Sequence, residues 1–297
     1  MTPYAQIASN KLKTYLILAL FAAFFSLVFY LLGEYYGNTQ GFFAMGLFLS
    51  VATSVSSYFW SDKLVLSMAH ARPASKKEFF DFYTVAENIA IASGLPMPKL
   101  YVIDDASPNA FATGRDPKHA VVAVTTGLLA KLDRAELEGV VAHEFGHIKN
   151  SDMLLSTIVA VMVGTLVFVV DFVGRSLWWG RNDDNSSSKS PLGMIVFVMV
   201  LLLTPILASL IQLTISRRRE YLADATGALV TRNPDALASA LLKIAGDPHP
   251  TSTASNAIAH LYIDNPFNSG TSKGKWLSNL FSTHPPVEDR VRVLREM

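Results

Sequence analysis

Two histidines and a glutamate stand close together in the chain in a pattern that suits metal-assisted hydrolysis. His143, Glu144 and His147 form the sequence His-Glu-x-x-His. Residues four apart lie on one face of a helix, so both imidazoles are able to reach the same metal ion. Glu144 follows the first histidine, where its carboxylate could act as general base on a water beside the metal. The alternative is an amphipathic helix with two incidental surface histidines. The residues around the motif are needed to choose between a metal site and this alternative.

The residues around the motif predict a helix with a defined start and a small sheet before it. Asp133 offers a side-chain acceptor at the N-cap, and Glu136 follows three residues later, as in a capping box. We therefore expect a helix over residues 137–150, and this helix carries the motif. Upstream, residues 99–103 and 119–125 are rich in residues that favour strands. The pattern indicates a small sheet beside an active-site helix.

The segment between these two strands is a candidate for substrate binding. Asn109, Ala110, Phe111 and Ala112 lie in a stretch that we interpret as extended or as a turn. An extended segment of this kind could hold a substrate backbone as an added strand. The alternative interpretation is an ordinary polar loop that precedes a strand.

The composition of the chain indicates a membrane protein. Hydrophobic residues make up 51% of the 297 residues and charged residues only 16%, against about 25% charged in an average globular protein. A net charge of +1 argues against a nucleic-acid partner, because such proteins usually carry a strong basic field. The absence of cysteine excludes disulfides and thiolate metal sites, so any metal must be held by histidines and carboxylates.

Four long apolar runs predict four transmembrane helices. They cover about residues 14–32, 41–60, 153–173 and 192–215, and each is close to the ~20 residues that a helix needs to cross a bilayer. The first run is longer than the core of a signal peptide and no small-x-small cleavage site follows it, so we expect a retained anchor.

The basic residues around the runs predict the orientation of the protein. Lysines and arginines concentrate before the first run, after the second and after the fourth, which places both termini and the middle segment in the cytoplasm. The expected domains are two transmembrane helices (1–61), a protease part with the motif (62–152), two further transmembrane helices with an outer loop at 174–191 (153–216), and a helical protease part (217–297).

A third metal ligand is predicted by the topology. After two crossings the chain returns to the side of the motif and presents Glu220 and Asp224, which are four residues apart on one helix face. A hydrolytic zinc site needs three protein ligands and one open position, and Glu220 could complete a set of two histidines and one glutamate. Asp224 could accept a hydrogen bond from a ligand imidazole and fix its tautomer. The alternative is a solvated acidic pair beside an arginine cluster.

Several blocks of the sequence resemble the HtpX-type members of family M48, a family of membrane zinc metallopeptidases. The blocks are Asn109–Gly114, His143–Asp152, Ser216–Asp224 and Ser282–Pro286, with Arg290 after the last. They occur in the family's order and the four-run layout agrees, so the resemblance covers nearly the whole chain. The metal and base positions show no departure from the family's pattern.

The resemblance implies that His143, His147 and Glu220 bind one Zn²⁺ ion per chain. It also implies that Glu144 is catalytic and that Asp224 is a second-layer residue that contacts a metal ligand and not the metal. The implied fold is a mainly α membrane protein, with four transmembrane helices and a cytoplasmic zincin-like α+β metalloprotease domain. The implied activity is that of a multi-pass metalloprotease of the bacterial inner membrane, with its active site in the cytoplasm. Its expected role is quality control under stress, through hydrolysis of damaged or misfolded membrane proteins.

The reaction needs a second electrophile, besides the metal, to stabilise the oxyanion. His284, in Thr283-His-Pro-Pro, is the first candidate, mostly from the resemblance, and its alternative role is that of a turn or cap residue. Tyr221 and Arg290 are weaker candidates.

Other classes of function fit the sequence less well. A non-catalytic membrane scaffold that binds zinc has no need of a base between its ligands, so Glu144 argues against it. A transporter or channel would need polar groups within its spans, and these are almost absent. The expected partners are protein substrates and the lipid bilayer, and the sequence gives no indication of oligomeric state.

Overall fold

The described part of the chain is mainly helical, with one small sheet near the middle of the sequence. The computed structural model describes residues 3–165, 217–249, 251, 257–264 and 285–297. In chain order the described helices and strands are α1 (Pro3–Tyr36), α2 (Thr39–Met68), β1 (Arg72–Pro73), α3 (Phe80–Ser93), β2 (Lys99–Ile103), β3 (Ala110–Thr113), β4 (Val121–Thr125), α4 (Thr126–Lys131), α5 (Arg134–Lys149), α6 (Met153–Thr165), α7 (Arg217–Thr231), α8 (Pro234–Ala245) and α9 (Val287–Arg295).

Helices α1 and α2 form an antiparallel pair that is long and apolar enough to cross a membrane. The apolar part of α1, Leu12–Leu31, has a mean hydropathy of 2.2, and α2 has a mean hydropathy of 1.5. Their large apolar side chains remain exposed, as at Phe48, which is 70% accessible. This finding confirms the first two predicted apolar helices, although α2 continues beyond the predicted end at residue 60 to Met68.

The other two predicted transmembrane helices are described only in part. Helix α6 covers the start of the third apolar run, Met153–Thr165. The rest of that run, the outer loop at 174–191 and the fourth run at 192–215 lie outside the described residues. The layout of four transmembrane helices therefore stays a prediction.

The four strands form one mixed sheet in the order β1-β2-β4-β3. β2 and β4 run parallel, while β1 and β3 each pair antiparallel with their neighbour. The predicted strand at 119–125 begins only at Val121, because residues 117–119 form a 3₁₀ turn that the Asp116 side chain caps. The segment predicted as extended or a turn forms β3, so the candidate substrate-binding residues lie on an edge strand.

Both faces of the sheet are covered. Successive side chains of a strand point to opposite sides, so each strand contributes to the core on each face. On one face, Val122 and Val124 join a core formed with α3, α5, α8 and α9. On the other face, Val121 and Ala123 pack against the end of α2 and against residues 258–262. The sheet therefore connects the membrane-type helix α2 to the layer that holds the motif helix.

Helix α6 packs against the apolar part of α1. Their shared cluster contains two sets of buried side chains, Ile17, Phe21 and Phe25 from α1, and Leu155, Ile158, Val159 and Met162 from α6. Only residues 150–152 separate α6 from α5. The motif helix is therefore joined by a short turn to a helix that lies on a candidate membrane span.

Candidate active site

Helix α5 carries the motif, and its start is fixed by the predicted capping box. The Asp133 carboxylate accepts a hydrogen bond from the Glu136 N–H at 2.9 Å, and the Glu136 carboxylate accepts one from the Asp133 N–H at 2.9 Å. The Glu136 carboxylate is also contacted by Lys243 and Ser239 of α8, each at 2.7 Å. The cap thus fixes both the first turn of α5 and its position against α8.

Helices α5 and α7 approach closely because a glycine stands at each of two contact points. A Cβ on Gly146 would lie 2.9 Å from Ala223 Cα, and a Cβ on Gly227 would lie 3.0 Å from the His143 backbone nitrogen. Neither position has room for a larger residue without a shift of backbone. This approach brings the acidic face of α7 to the histidine face of α5.

Three side chains from these two helices bring ligand atoms to one point. The Nε2 atoms of His143 and His147 are 3.2 Å apart. Glu220 Oε1 lies 3.6 Å from His147 Nε2, and Glu220 Oε2 lies 3.9 Å from His143 Nε2. The three predicted ligands are the group of side chains that could hold a metal ion within the described residues.

The donor set fits zinc in type and spacing. Tetrahedral zinc holds nitrogen and oxygen ligands at about 2.0–2.2 Å, which places neighbouring donor atoms about 3.3–3.6 Å apart. The closest approaches, 3.2 Å between the histidines and 3.6 and 3.9 Å from them to the two oxygens of Glu220, are near that range, and one ligand atom from each residue lies within 4.8 Å of the others. Three protein ligands also leave the fourth position for water or substrate, as a hydrolytic site requires.

Glu144 lies beside this group without being part of it. Its side chain is buried, at 2% accessibility, and its charge acts on His147, whose pKa it helps to raise. Glu144 is not one of the three side chains with converging ligand atoms. A buried carboxylate next to the candidate ligands, yet outside that set, agrees with the predicted role of a general base.

Asp224 lies behind the first ligand histidine, as predicted. Its Oδ1 is 2.9 Å from His143 Nδ1. Accepting the Nδ1 proton leaves the lone pair of Nε2 free for the metal and fixes the ring orientation. Both residues are almost fully buried, so no water competes for this contact.

Arg290 occupies a position that the sequence interpretation did not anticipate. Its Nε and Nη2 donate to the two carboxylate oxygens of Asp224 at 2.9 and 2.7 Å, and its Nη1 donates to the Ile263 carbonyl at 3.4 Å. The sequence makes Arg290 a weak candidate for oxyanion stabilisation. The guanidinium instead faces Asp224 behind His143, with Nη2 at 3.4 Å from His143 Nδ1 and Nη1 at 3.7 Å from Glu220 Oε2.

A second carboxylate, which the sequence interpretation missed, supports His147. Asp152 Oδ2 lies 3.5 Å from His147 Nδ1, and Asp152 Oδ1 lies 3.7 Å from Arg219 Nη1. Arg219 belongs to the run of three arginines that follows the fourth apolar run. Arg217 and Arg218 are exposed, but Arg219 is only 5% accessible. The signal that could have revealed Asp152 is its place five residues after a ligand histidine.

The two histidines differ in proton affinity. Burial lowers the pKa of His143 to about 4, with the Arg290 and His147 charges acting in the same direction, although Asp224 opposes them. Burial also lowers the pKa of His147, but Asp152, Glu220 and Glu144 outweigh burial and raise it to about 9. Without a metal, the proton shared by the two rings therefore resides on His147.

The remaining predicted site residues have different outcomes. Asn109 is buried next to the edge strand, where its side chain donates to the Asp264 carbonyl at 3.1 Å and accepts from the Ala110 N–H. Ala110, Phe111 and Ala112 form most of β3. His284 lies outside the described residues.

Known proteins match this chain over its whole length. The model of peptidase family M48 matches residues 77–297. A protein named Protease HtpX homolog from Tropheryma whipplei (strain Twist) is 47% identical over 294 residues, covering 99% of this chain and 98% of that protein. The protein of the same name from Dictyoglomus thermophilum is 44% identical over 296 residues, covering 100% of this chain and 95% of that protein.

The fold also matches a solved structure. The crystal structure of S. mikatae Ste24p aligns with a TM-score of 0.50 at 18% identity, covering 98% of this chain and 67% of that chain. At this identity the match concerns the fold alone. The family model and the relatives show that the chain belongs to peptidase family M48, among its HtpX-type members.

Proposed function

We propose that the protein is a zinc endopeptidase that cleaves membrane proteins at the cytoplasmic face of the bacterial inner membrane. The observation that carries this proposal is the convergence of His143, His147 and Glu220, with the Glu144 carboxylate beside them and outside the ligand set. A scaffold that only bound a metal would have no use for that buried carboxylate.

The residues of the site have separate proposed roles in peptide hydrolysis. His143, His147 and Glu220 would hold the zinc, which when bound supplies a Lewis acid that activates water and polarises a carbonyl. Glu144 takes a proton from the attacking water and later gives it to the leaving amine. Asp224 and Asp152 keep the two imidazoles in orientation by accepting their Nδ1 protons.

The edge strand β3 is the proposed binding site for the substrate backbone. The Ala110 carbonyl accepts a hydrogen bond from the Ile263 N–H at 2.9 Å, so this carbonyl points away from β4. Peptide groups two residues apart in a strand point to the same side. Ala112 therefore presents its N–H and C=O to the same edge, where an extended substrate could add as a further strand.

The proposed substrate class follows from the position of the site relative to α1. The turn at 150–152 joins the motif helix to α6, and α6 packs on the candidate membrane span of α1. A site this close to a membrane helix favours segments of damaged or misfolded membrane proteins that emerge beside the bilayer. The cytoplasmic orientation and the four domains, with two spans and an outer loop at 153–216, are proposed from the distribution of basic residues.

His284 is proposed to stabilise the oxyanion together with the metal. The support is its position in the block that precedes Arg290, which the structure places behind His143. We expect His284→Ala to lower kcat with little change in zinc content, whereas a loss of zinc would assign it to the structure of the site.

The test compares the zinc-loaded protein with Glu144→Gln, using an unfolded membrane protein as substrate in detergent. The control variant is Glu138→Gln, which changes a partly exposed glutamate on the same helix. We expect cleavage by the unmodified protein and by the control, and none by Glu144→Gln. Equal cleavage by all three would refute the role of Glu144. Zinc binding without cleavage by any of them would support the scaffold.

A further inference from the structure

A pocket lies where the end of α2 meets the turn between β3 and β4. Its volume is about 240 Å³. It is lined by Tyr58, Phe59, Trp60, Ser61, Asp62, Lys63, Lys99, Arg115 and His119. None of these residues belongs to the peptidase site, and the proposed hydrolysis uses none of them.

Three of the four charged side chains that line the pocket are basic. Lys63, Lys99 and Arg115 face it, against one acidic side chain, Asp62. Both lysines are exposed, and no ion pair joins either of them to another described residue. Their charges are therefore available to an anionic ligand.

Arg115 is held in place at the wall of the pocket. Its guanidinium carbon lies 5.6 Å from the centre of the Phe59 ring, a cation–π distance. Its Nη2 is 2.9 Å from His119 Nε2, while His119 Nδ1 is 2.8 Å from the Asp116 carboxylate. Arg115 Nε also lies 3.5 Å from Asp116 Oδ2, so this carboxylate offsets part of the arginine charge and the two lysines supply the unpaired positive charge of the pocket. A chain of contacts thus fixes this cation before any ligand binds, which lowers the entropic cost of binding.

The pocket opens at the position expected for a membrane surface. Tyr58, Phe59 and Trp60 are 38%, 50% and 50% accessible, and they follow the most apolar part of α2. Tyrosine and tryptophan concentrate at the level of lipid headgroups, where their rings meet both apolar chains and water. Basic residues placed next to such aromatics attract anionic lipids.

We propose that this pocket binds the phosphate headgroup of an anionic phospholipid. The volume is below the about 300–1,000 Å³ of a typical site for a drug-sized molecule, and it suits a headgroup whose acyl chains lie along the exposed face of α2. An acidic peptide would match the charge equally well, but it would leave the three aromatic side chains without an apolar partner. The proposal rests on the membrane location of α2 and not on the peptidase chemistry.

A bound headgroup would also fix the soluble layer relative to the bilayer. Arg115 follows the last residue of β3, Thr113, by two positions, and Lys99 is the first residue of β2. A phosphate between Lys63, on α2, and these two side chains would tie the sheet to the end of the membrane helix.

The test measures lipid adducts by native mass spectrometry on the full chain, purified in a neutral detergent. The probe is dioctanoyl phosphatidylglycerol, compared with dioctanoyl phosphatidylcholine and with inorganic phosphate at equal concentrations. The test variant is Lys63→Gln/Lys99→Gln. The matched control is Lys118→Gln, which changes an exposed lysine of the same turn that does not line the pocket.

We expect preferential phosphatidylglycerol adducts on the unmodified protein and on the control. Each basic residue near anionic lipid contributes about fivefold in affinity, so the double variant should bind about 25-fold more weakly. Lys63→Arg/Lys99→Arg should restore binding, which separates a charge effect from misfolding.

Three results would overturn the proposal. They are equal binding of the two lipids, equal binding by the double variant and the control, or occupancy by inorganic phosphate as strong as that by phosphatidylglycerol. Lipid binding is measured without cleavage, so Glu144→Gln should bind phosphatidylglycerol like the unmodified protein even though it is not expected to cleave. A failure of the lipid site is therefore distinguishable from a failure of the proposed peptidase activity.

Discussion

Arg290 and Asp224 form a bidentate salt bridge on the Nδ1 side of the His143 imidazole. The guanidinium donates to both carboxylate oxygens at 2.9 and 2.7 Å, and the carboxylate in turn lies 2.9 Å from His143 Nδ1. Forked contacts of this kind fix direction as well as distance. The orientation of His143, a proposed metal ligand on α5, therefore depends on Arg290 of the last helix, α9.

The first prediction concerns the charge of Asp224. Asp224→Asn keeps the size of the side chain but removes the negative charge that holds the Nδ1 proton of His143. Changes of this type typically cost about 10–100-fold in metal affinity, and we expect a loss in that range. Zinc affinity measured by competition with a chelator tests it. Asp235→Asn, an exposed carboxylate on α8, is the control and should bind zinc like the unmodified protein.

The second prediction concerns the buried pair as a unit. Arg290→Met leaves the Asp224 charge buried without its guanidinium partner, and breaking a buried pair in this way costs about 3–5 kcal/mol. Thermal unfolding of the metal-free protein in detergent should show a large fall in Tm. The Tm of Arg290→Lys should lie between those of the unmodified protein and Arg290→Met, because an ammonium keeps the charge but lacks the forked geometry of a guanidinium.

A double-mutant cycle identifies the cause of that loss. Adding Asp224→Asn to Arg290→Met removes the uncompensated charge, so the double variant should unfold at a higher temperature than Arg290→Met alone. It should still bind zinc weakly, because His143 has lost its anionic partner. Simple addition of the two single effects would show that the pair does not act as a unit.

The third prediction concerns competition between protons and the metal. The pKa of His147 is raised to about 9 by Asp152, Glu220 and Glu144 against the opposing effect of burial. Below that pH the imidazole is protonated, and a metal binds only after the proton leaves. The apparent zinc affinity should therefore rise by about tenfold per pH unit up to about pH 9 and then level off.

Chelator competition between about pH 6.5 and pH 9.5 measures this dependence. Glu144→Gln removes one of the charges that raise the pKa of His147, so its affinity should level off at a lower pH. An affinity that stays constant across the range in both proteins would contradict the assignment of the proton to His147.

The sequence was sufficient to predict that the proposed ligands share helix faces, because each pair of residues lies within one helix. His143 and His147, like Glu220 and Asp224, are four residues apart, and the 3.6-residue period places such residues on one face. The capping box that starts α5 was equally readable, since all of its contacts are local.

The support behind the ligands could not be predicted, because it depends on tertiary contacts. Arg290 reaches Asp224 across 66 positions of the chain, and no local pattern indicates that contact. Arg219 stands in a run of three arginines, and composition alone does not show that one of them points inward to Asp152. The edge strand β3 was ambiguous for a similar reason, because its pairing with β4 decides between strand and turn.

The last prediction concerns the close approach of α5 and α7. In Gly146→Ala the new methyl group would lie 2.9 Å from Ala223 Cα and 3.0 Å from its carbonyl oxygen, and both of these are backbone atoms. The helices must move apart, which costs about 1–3 kcal/mol for an overpacked site. Because Glu220 is on α7 and both histidines are on α5, the separation should weaken zinc binding together with thermal stability.

Gly164→Ala provides the matched control for that change. Its new methyl group would lie 3.4 Å from the flexible Met68 side chain and at an ordinary contact distance of 3.7 Å from Ala257 Cβ, so stability and zinc affinity should change little. Tm and zinc affinity, measured on both variants, test the prediction. If Gly146→Ala lowered Tm but bound zinc normally, the histidines and Glu220 would not depend on the interhelical spacing. If it changed neither quantity, α5 and α7 would be further apart than the glycine contacts indicate.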